Sequence, residues 1–157
     1  MIILATGNPP LLPHFGSAHI AALGITLAVA LLLIPAARFY PRARFVGWLQ
    51  TLLAMLLITA YPANILARYW GDIAITRDMI LPLHLCDLAA ITGFFALVFS
   101  HRLAAELTYF WGLAGTFQAL LTPSTCFAYP SPAFYTFFQL HSAVVITALY
   151  LPIGIGW

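Results

Sequence analysis

Residues 79–95 of the chain read MILPLHLCDLAAITGFF, an apolar run that carries a histidine, a cysteine and an aspartate within four positions. With the apolar residues that follow, the run is long enough to cross a bilayer, which takes about 20 helical residues. Ionisable groups are costly in hydrocarbon, and they usually face a protein interior, a partner or a water-filled cavity. The stretch therefore predicts a membrane-spanning segment whose polar residues have partners elsewhere in the chain.

The composition of the whole chain points to the same class of protein. Of its 157 residues, 63% are hydrophobic and 6% are charged, and the mean hydropathy is +0.99. A soluble domain carries roughly 25% charged residues. The net charge of +2 arises from scattered arginines without a basic run, so nothing indicates nucleic-acid binding. We expect an all-α transmembrane helical bundle, folded as one domain over residues 1–157, with membrane lipids as its partners and no cofactor or metal.

Apolar runs separated by charged or proline-rich breaks predict five spans. They cover residues 18–37, 46–66, 79–99, 103–122 and 133–155. The break between the third and fourth spans is very short, which predicts a tight helical hairpin. Four arginines lie in loops on the same side of the membrane as the turn of this hairpin, and two lie on the opposite side. The positive-inside rule makes the side with four arginines cytoplasmic, which places the N-terminus outside. We expect a multi-pass protein of a bacterial plasma membrane.

The polar residues of the spans cluster in the predicted outer half. At 1.5 Å per residue, Cys86 lies about 10 Å below the outer boundary of its span, and His141 about 12 Å below its own. The other members of this polar cluster are His19, Tyr61, Asn64, His84, Asp87, Gln118 and Gln139. Such clustering predicts a polar cavity that opens to the outer leaflet. The alternative is that each side chain simply bonds a neighbouring helix, as is common in membrane bundles.

Helical geometry divides the opening stretch into two faces. His84 and Asp87 are three residues apart, so they share a face. Cys86 lies about 200° around the helix from His84, and the two cannot both point at one centre. Cys86 is then better matched with His141 at the same predicted depth, with His84 and Asp87 as supporting residues.

A thiol beside a histidine suggests nucleophilic catalysis. The thiolate is the nucleophile, and a neighbouring base activates it. The predicted depth suits lipid esters, which lie just under the headgroups, so an acyl-thioester on Cys86 with His141 as base is the first hypothesis. The second is a haem or metal site that uses His84 and His141 on facing helices. The third is a transporter or non-catalytic subunit, in which the polar cluster binds a solute.

Four segments carry a resemblance to a known family. They read FGSAH at 15–19, LPLHLC at 81–86, YFWGLAGTFQALLTP at 109–123 and FFQLH at 137–141. In this order they resemble the YwaF-like integral membrane proteins, whose eukaryotic relatives include transmembrane protein 164. The resemblance implies a phospholipid acyltransferase, with Cys86 carrying the acyl group and His141 activating it. Members of the family are usually longer, so it also implies that further C-terminal spans or a homo-oligomer complete the bundle.

Overall fold

The computed structural model describes residues 10–71, 73, 75, 81–123 and 127–156, and its architecture is an all-α bundle of five helices. Helix α1 is Ser17–Phe39, α2 is Arg44–Trp70 and α3 is Leu85–Phe99. Helix α4 runs through Arg102–Trp111, a π-helical turn over Gly112–Thr116 and a final segment Phe117–Leu121. Helix α5 consists of Pro132–Leu149 followed by a second π-helical turn over Tyr150–Gly154. The predicted fold class is confirmed.

Three helices in the described part of the chain are long and apolar enough to cross a membrane, namely α1, α2 and α5. Helix α3 is apolar but has only 15 residues, which gives about 22 Å against a hydrocarbon core of about 30 Å. The outer surface of α1 is apolar, with Leu31 63% and Leu32 71% exposed. Such a surface is suited to contact with lipid rather than with water.

Helix α5 lies at the centre of the bundle. In its most apolar window 72% of the residues are buried inside the protein, against 11% for α1 and 22% for α2. Small residues allow the surrounding helices to approach closely, as is usual in membrane bundles. Gly93 of α3 is the clearest case, because a Cβ placed there would lie within 3.4 Å of the side chains of Leu57, Thr108 and Thr147. Helices α2, α4 and α5 therefore all meet α3 at this one position.

Helix α3 begins at Leu85, six residues later than predicted. Proline lacks a backbone N–H, and it disfavours helical geometry in the residue before it, so Pro82 keeps this segment out of the helix. His84 has extended backbone angles (φ −69°, ψ 143°) and occupies the N-cap position. Residues 79 and 80 lie outside the described residues. Cys86 is consequently the second residue of a helix rather than the eighth, and the depth inferred by counting from residue 79 does not apply.

The predicted hairpin between the third and fourth helices is confirmed. Only Ser100 and His101 separate α3 from α4. Ser100 adopts the left-handed conformation (φ 52°), which reverses the chain after α3. The His101 Nδ1 atom accepts a hydrogen bond of 3.2 Å from the Ala104 N–H and so caps the start of α4. Helices α3 and α4 are thereby held antiparallel.

Candidate functional site around Cys86

Cys86 lies at the N-terminal end of the buried stripe of α3. The stripe continues through Ala89, Gly93 and Ala96, which follow Cys86 at helical spacing and are all buried. The Cys86 side chain is half-buried and packs against the main hydrophobic core. The thiol lies beside the hydroxyl of Thr116 on α4, which donates a hydrogen bond of 3.5 Å to the Trp111 carbonyl. Thr116 itself is completely buried.

The π-helical turn explains why Thr116 faces Cys86. The hydroxyls of Thr92 and Thr108 lie 2.9 Å apart and set the register between α3 and α4. Thr116 follows Thr108 by eight residues, which in a regular α-helix would rotate it about 80° away from that face. A π-helical turn takes up one extra residue, so Thr116 returns to within about 20° of the direction of Thr108. Thr116 could not be identified from the sequence, because no residue pattern predicts a π-helical turn.

Cys86 and His141 lie at the same level in the bundle. A Cβ at Gly93 of α3 would lie 3.4 Å from the side chain of Thr147 on α5. Helix α3 is antiparallel to α4, because Leu85 meets Gly115 and Gly93 meets Thr108. Helix α5 is antiparallel to α4 as well, because Ala148 meets Gly112 and Phe134 packs with Leu120, so α3 and α5 run in the same direction. Cys86 precedes Gly93 by seven residues, and His141 precedes Thr147 by six. The two side chains therefore differ in height by about one residue, or about 1.5 Å. Although α3 is short, its first residues therefore lie beside the middle of α5, and the predicted depth of the pair in the membrane stays a prediction.

The surroundings of His141 select one tautomer of its ring. The Nδ1–H donates a hydrogen bond of 2.7 Å to the Phe137 carbonyl, and the ring stacks on that of Phe137 at 4.0 Å between centroids. In a neutral imidazole the other nitrogen, Nε2, then carries the lone pair. No described residue hydrogen-bonds to Nε2. A neutral, buried imidazole with an unprotonated Nε2 has the form that a general base requires.

Helix α4 packs closely against both α3 and α5. A Cβ at Gly115 would lie 2.7 Å from Leu85 Cδ2 on α3, and one at Gly112 would lie 2.8 Å from Ala148 Cβ on α5. Within the described chain, Cys86 lies beside Thr116 and His141 bonds to Phe137, and no hydrogen bond joins Cys86 to His141. The catalytic pair therefore stays a prediction, with Thr116 as an additional neighbour of the thiol.

His84 and Asp87 share a face, as their spacing predicted. The His84 Nδ1 atom lies 3.3 Å from Asp87 Oδ2, and the His84 side chain is 59% exposed while that of Asp87 is 11% exposed. Asp87 is the third residue of α3, where the partial positive charge of a helix N-terminus favours a carboxylate. The pair lies at the N-terminal end of α3, beside Cys86.

Both ring nitrogens of His19 are hydrogen-bonded, and one of these bonds joins α1 to α4. The ring is completely buried. Its Nε2–H donates to the Leu120 carbonyl at 3.0 Å, and its Nδ1 accepts from the Phe15 N–H at 3.0 Å. Both polar atoms are thus satisfied by the backbone, and His19 fastens the start of α1 to the end of α4.

The amide side chains of the predicted cluster also bond nearby groups. Gln139 donates to the Leu56 carbonyl at 3.1 Å and so joins α5 to α2. Gln118 is exposed and bonds within α4, and Asn64 accepts a hydrogen bond of 2.9 Å from Arg68 one turn later in α2. These three residues fit the alternative interpretation of the polar cluster, in which each side chain simply bonds a nearby group. The structure does not gather them around Cys86.

The haem or metal alternative depends on His84 and His141. His84 is paired with Asp87 at the exposed end of α3, and His141 Nδ1 is occupied by a backbone carbonyl. Across the described ranges, no three His, Cys, Asp or Glu side chains come together as a group of metal ligands. The second cysteine, Cys126, lies outside the described residues.

Comparison with known proteins gives one finding. The family model of the TMEM164 family matches residues 14–157, which is nearly the whole chain. No curated protein and no solved structure matches it. The match agrees with the predicted relationship to eukaryotic transmembrane protein 164. Membership of the wider YwaF-like group stays a prediction.

Proposed function

The chain belongs to the TMEM164 family of integral membrane proteins, and we propose that it transfers acyl groups between membrane lipids through Cys86 and His141. The observation that carries the proposal is the position of the Cys86 thiol. It lies at the start of a short helix, beside the buried Thr116 hydroxyl and at the level of His141. The His141 tautomer adds support, since it leaves Nε2 able to take a proton.

The first half of the reaction forms an acyl-thioester. The Cys86 sulfur attacks the carbonyl carbon of a phospholipid ester while its proton passes to His141 Nε2. The single bond between the carbonyl carbon and the alkoxy oxygen of the ester then breaks, and this departing lysolipid oxygen takes the proton from His141.

The second half returns the enzyme to its starting state. The hydroxyl of an acceptor lipid attacks the thioester carbonyl, and His141 Nε2 takes the hydroxyl proton. The carbon–sulfur bond breaks, and the Cys86 sulfur recovers its proton from His141. With water as the acceptor the same steps hydrolyse the lipid, so the identity of the acceptor separates a transferase from a hydrolase.

Proton transfer needs a contact that is absent from the described residues. A general base works at about 2.6–3.2 Å from the group it deprotonates, and such contacts commonly tighten only when substrate binds. The proposal therefore includes a rotation of the Cys86 side chain away from Thr116 and toward Nε2 when the lipid ester is in place.

Trapping of the thioester tests the proposal. The full chain is reconstituted in vesicles that contain a phospholipid with a labelled acyl chain, and label released by neutral hydroxylamine is measured. We expect label on the natural chain and on the Cys126→Ser control, and none on Cys86→Ala. His141→Gln keeps a polar group without the base, so acylation should slow by about 10²–10⁴-fold. Hydroxylamine-sensitive label that persists at full level in Cys86→Ala would contradict the assignment.

A further inference from the structure

A groove of about 900 Å³ lies between α1 and α2, with α5 as its floor. Ile25 and Val29 form part of one wall, and Leu52 and Leu56 form part of the other. Cys86 and His141 do not line it. The groove follows a face of α5 different from the one that approaches α4, so it is separate from the candidate site.

The lining of the groove suits an uncharged, largely apolar molecule. None of the described residues that line it is charged. Its floor carries the hydroxyl of Ser142, which lies 2.7 Å from the hydroxyl of Thr26, and the amide of Gln139, which bonds to α2. These polar groups already serve contacts between helices, so most of the surface offered to an occupant is hydrocarbon.

One end of the groove has the character of a membrane interface. Tyr129 and Tyr135 line this end, are 60% and 53% exposed, and their ring centroids lie 6.0 Å apart. Tyrosine is favoured where one side of the ring is apolar and the hydroxyl is wet. From Ser17 beside this end to Leu33 the lining spans 16 residues of α1, or about 24 Å. That is longer than the hydrocarbon of one leaflet, which is about 15 Å.

We propose that the groove binds one acyl chain of a bilayer lipid, with the polar end of the lipid at Tyr129 and Tyr135. Three observations carry this: a polar, aromatic mouth, an uncharged apolar body, and walls formed by two helices that can span a membrane. The volume of about 900 Å³ falls within the range of small-molecule pockets, about 300–1,000 Å³.

The dimensions argue against a helix as the occupant. A spanning helix about 30 Å long and 10 Å across takes up about 2,400 Å³, which is well over twice the volume of the groove. An acyl chain is thinner and can follow the groove along its length. The assignment does not depend on acyl transfer at Cys86, because none of the lining residues belongs to that site.

Photolabelling of the protein in a bilayer tests the proposal. The full chain, carrying Cys86→Ala so that acyl transfer cannot contribute, is placed in phosphatidylcholine vesicles with a trace of phosphatidylcholine that has a photoreactive acyl chain. Cross-linked residues are then mapped by mass spectrometry. Ile25→Trp fills the groove from α1, and Leu27→Trp is its matched control, because Ile25 is 66% and Leu27 60% exposed and Leu27 does not line the groove.

We expect label to concentrate on the lining residues, to fall several-fold in Ile25→Trp and to stay unchanged in Leu27→Trp. Leu52→Trp fills the groove from α2 and should give the same loss, which guards against misfolding of a single variant. Label spread evenly over the lipid-exposed surface of α1 would overturn the proposal. So would unchanged labelling in both groove-filling variants, or a cross-link between two copies of the chain that maps to the groove.

Discussion

Replacement of Gly112 by alanine tests the close contact that holds α4 against the central helix. A Cβ at this position would lie 2.8 Å from Ala148 Cβ and 3.4 Å from Val144 Cγ1. Carbon atoms pack best at about 3.5–4.0 Å, so the two helices would have to separate by about 1 Å. The Ala148 Cβ is attached directly to the backbone and cannot rotate away.

The expected loss of stability follows from two opposing effects. Overpacking of a tight contact costs about 1–3 kcal/mol. Alanine recovers up to about 1 kcal/mol because its helix propensity exceeds that of glycine. We therefore expect Gly112→Ala to lower the free energy of unfolding by about 1 kcal/mol.

Two other glycines supply matched controls. Gly24 is exposed on α1, with nothing within 4 Å of its ideal Cβ, so Gly24→Ala should be neutral or stabilising. A Cβ at Gly115 would meet the flexible end of Leu85, which can move, so Gly115→Ala should cost less than Gly112→Ala. Equilibrium unfolding in mixed micelles, followed by circular dichroism, measures all three variants.

A second substitution checks that the contact itself causes the loss. Ala148→Gly removes the opposing methyl group, so the double variant Gly112→Ala with Ala148→Gly should recover most of the stability lost in the single variant. The reasoning is refuted if Gly112→Ala is as stable as Gly24→Ala, or if Ala148→Gly fails to restore it.

Three further predictions concern polar contacts between helices. His19→Ala should lower the free energy of unfolding in micelles by about 1–3 kcal/mol, because it leaves the buried Leu120 carbonyl without its donor. Thr26→Val removes a hydroxyl pair between α1 and α5 and should cost only about 0.6 kcal/mol in the same measurement, since such bonds are weak in membranes. Thr116→Val should slow maleimide labelling of Cys86, measured in a Cys126→Ser background, and Thr116→Ser should restore the rate because it keeps the hydroxyl.

The control for the two stability predictions is Gln118→Ala. This side chain is exposed and bonds only within α4, so its replacement should change stability by no more than about 0.5 kcal/mol. A His19→Ala variant as stable as this control would show that the buried imidazole does not fasten α1 to α4. Equal labelling rates for valine and serine at position 116 would show that the hydroxyl does not act on the thiol.

The long helices could be predicted closely from local sequence. The first span was predicted over residues 18–37, and the helix covers Ser17–Phe39. Its apolar run is bounded by a glycine and by a charged, proline-containing break, both of which act locally. The third span was predicted to start too early, because hydropathy does not detect that Pro82 and an extended His84 delay the helix.

The candidate site was only partly predictable. The spacing of His84 and Asp87 was enough to bring them together, since the side chain of an N-cap residue also lies close to that of the third helical residue. The contact between Cys86 and Thr116 was not predictable, because it depends on one extra residue in the π turn of α4. His19 was expected in a polar cavity, but its ring nitrogens are taken by backbone groups of Leu120 and Phe15.

The sequence by itself determined the class of the molecule, an integral membrane protein built of helices, and the chain positions of its few ionisable groups. Composition and local periodicity suffice for this, because hydrocarbon excludes charge and requires every backbone group to be bonded within the protein. Only the tertiary structure decided that Thr116 faces Cys86 at the level of His141, and that α1, α2 and α5 enclose an apolar groove. Both depend on how closely side chains from distant parts of the chain allow helices to approach, and no local pattern contains that information.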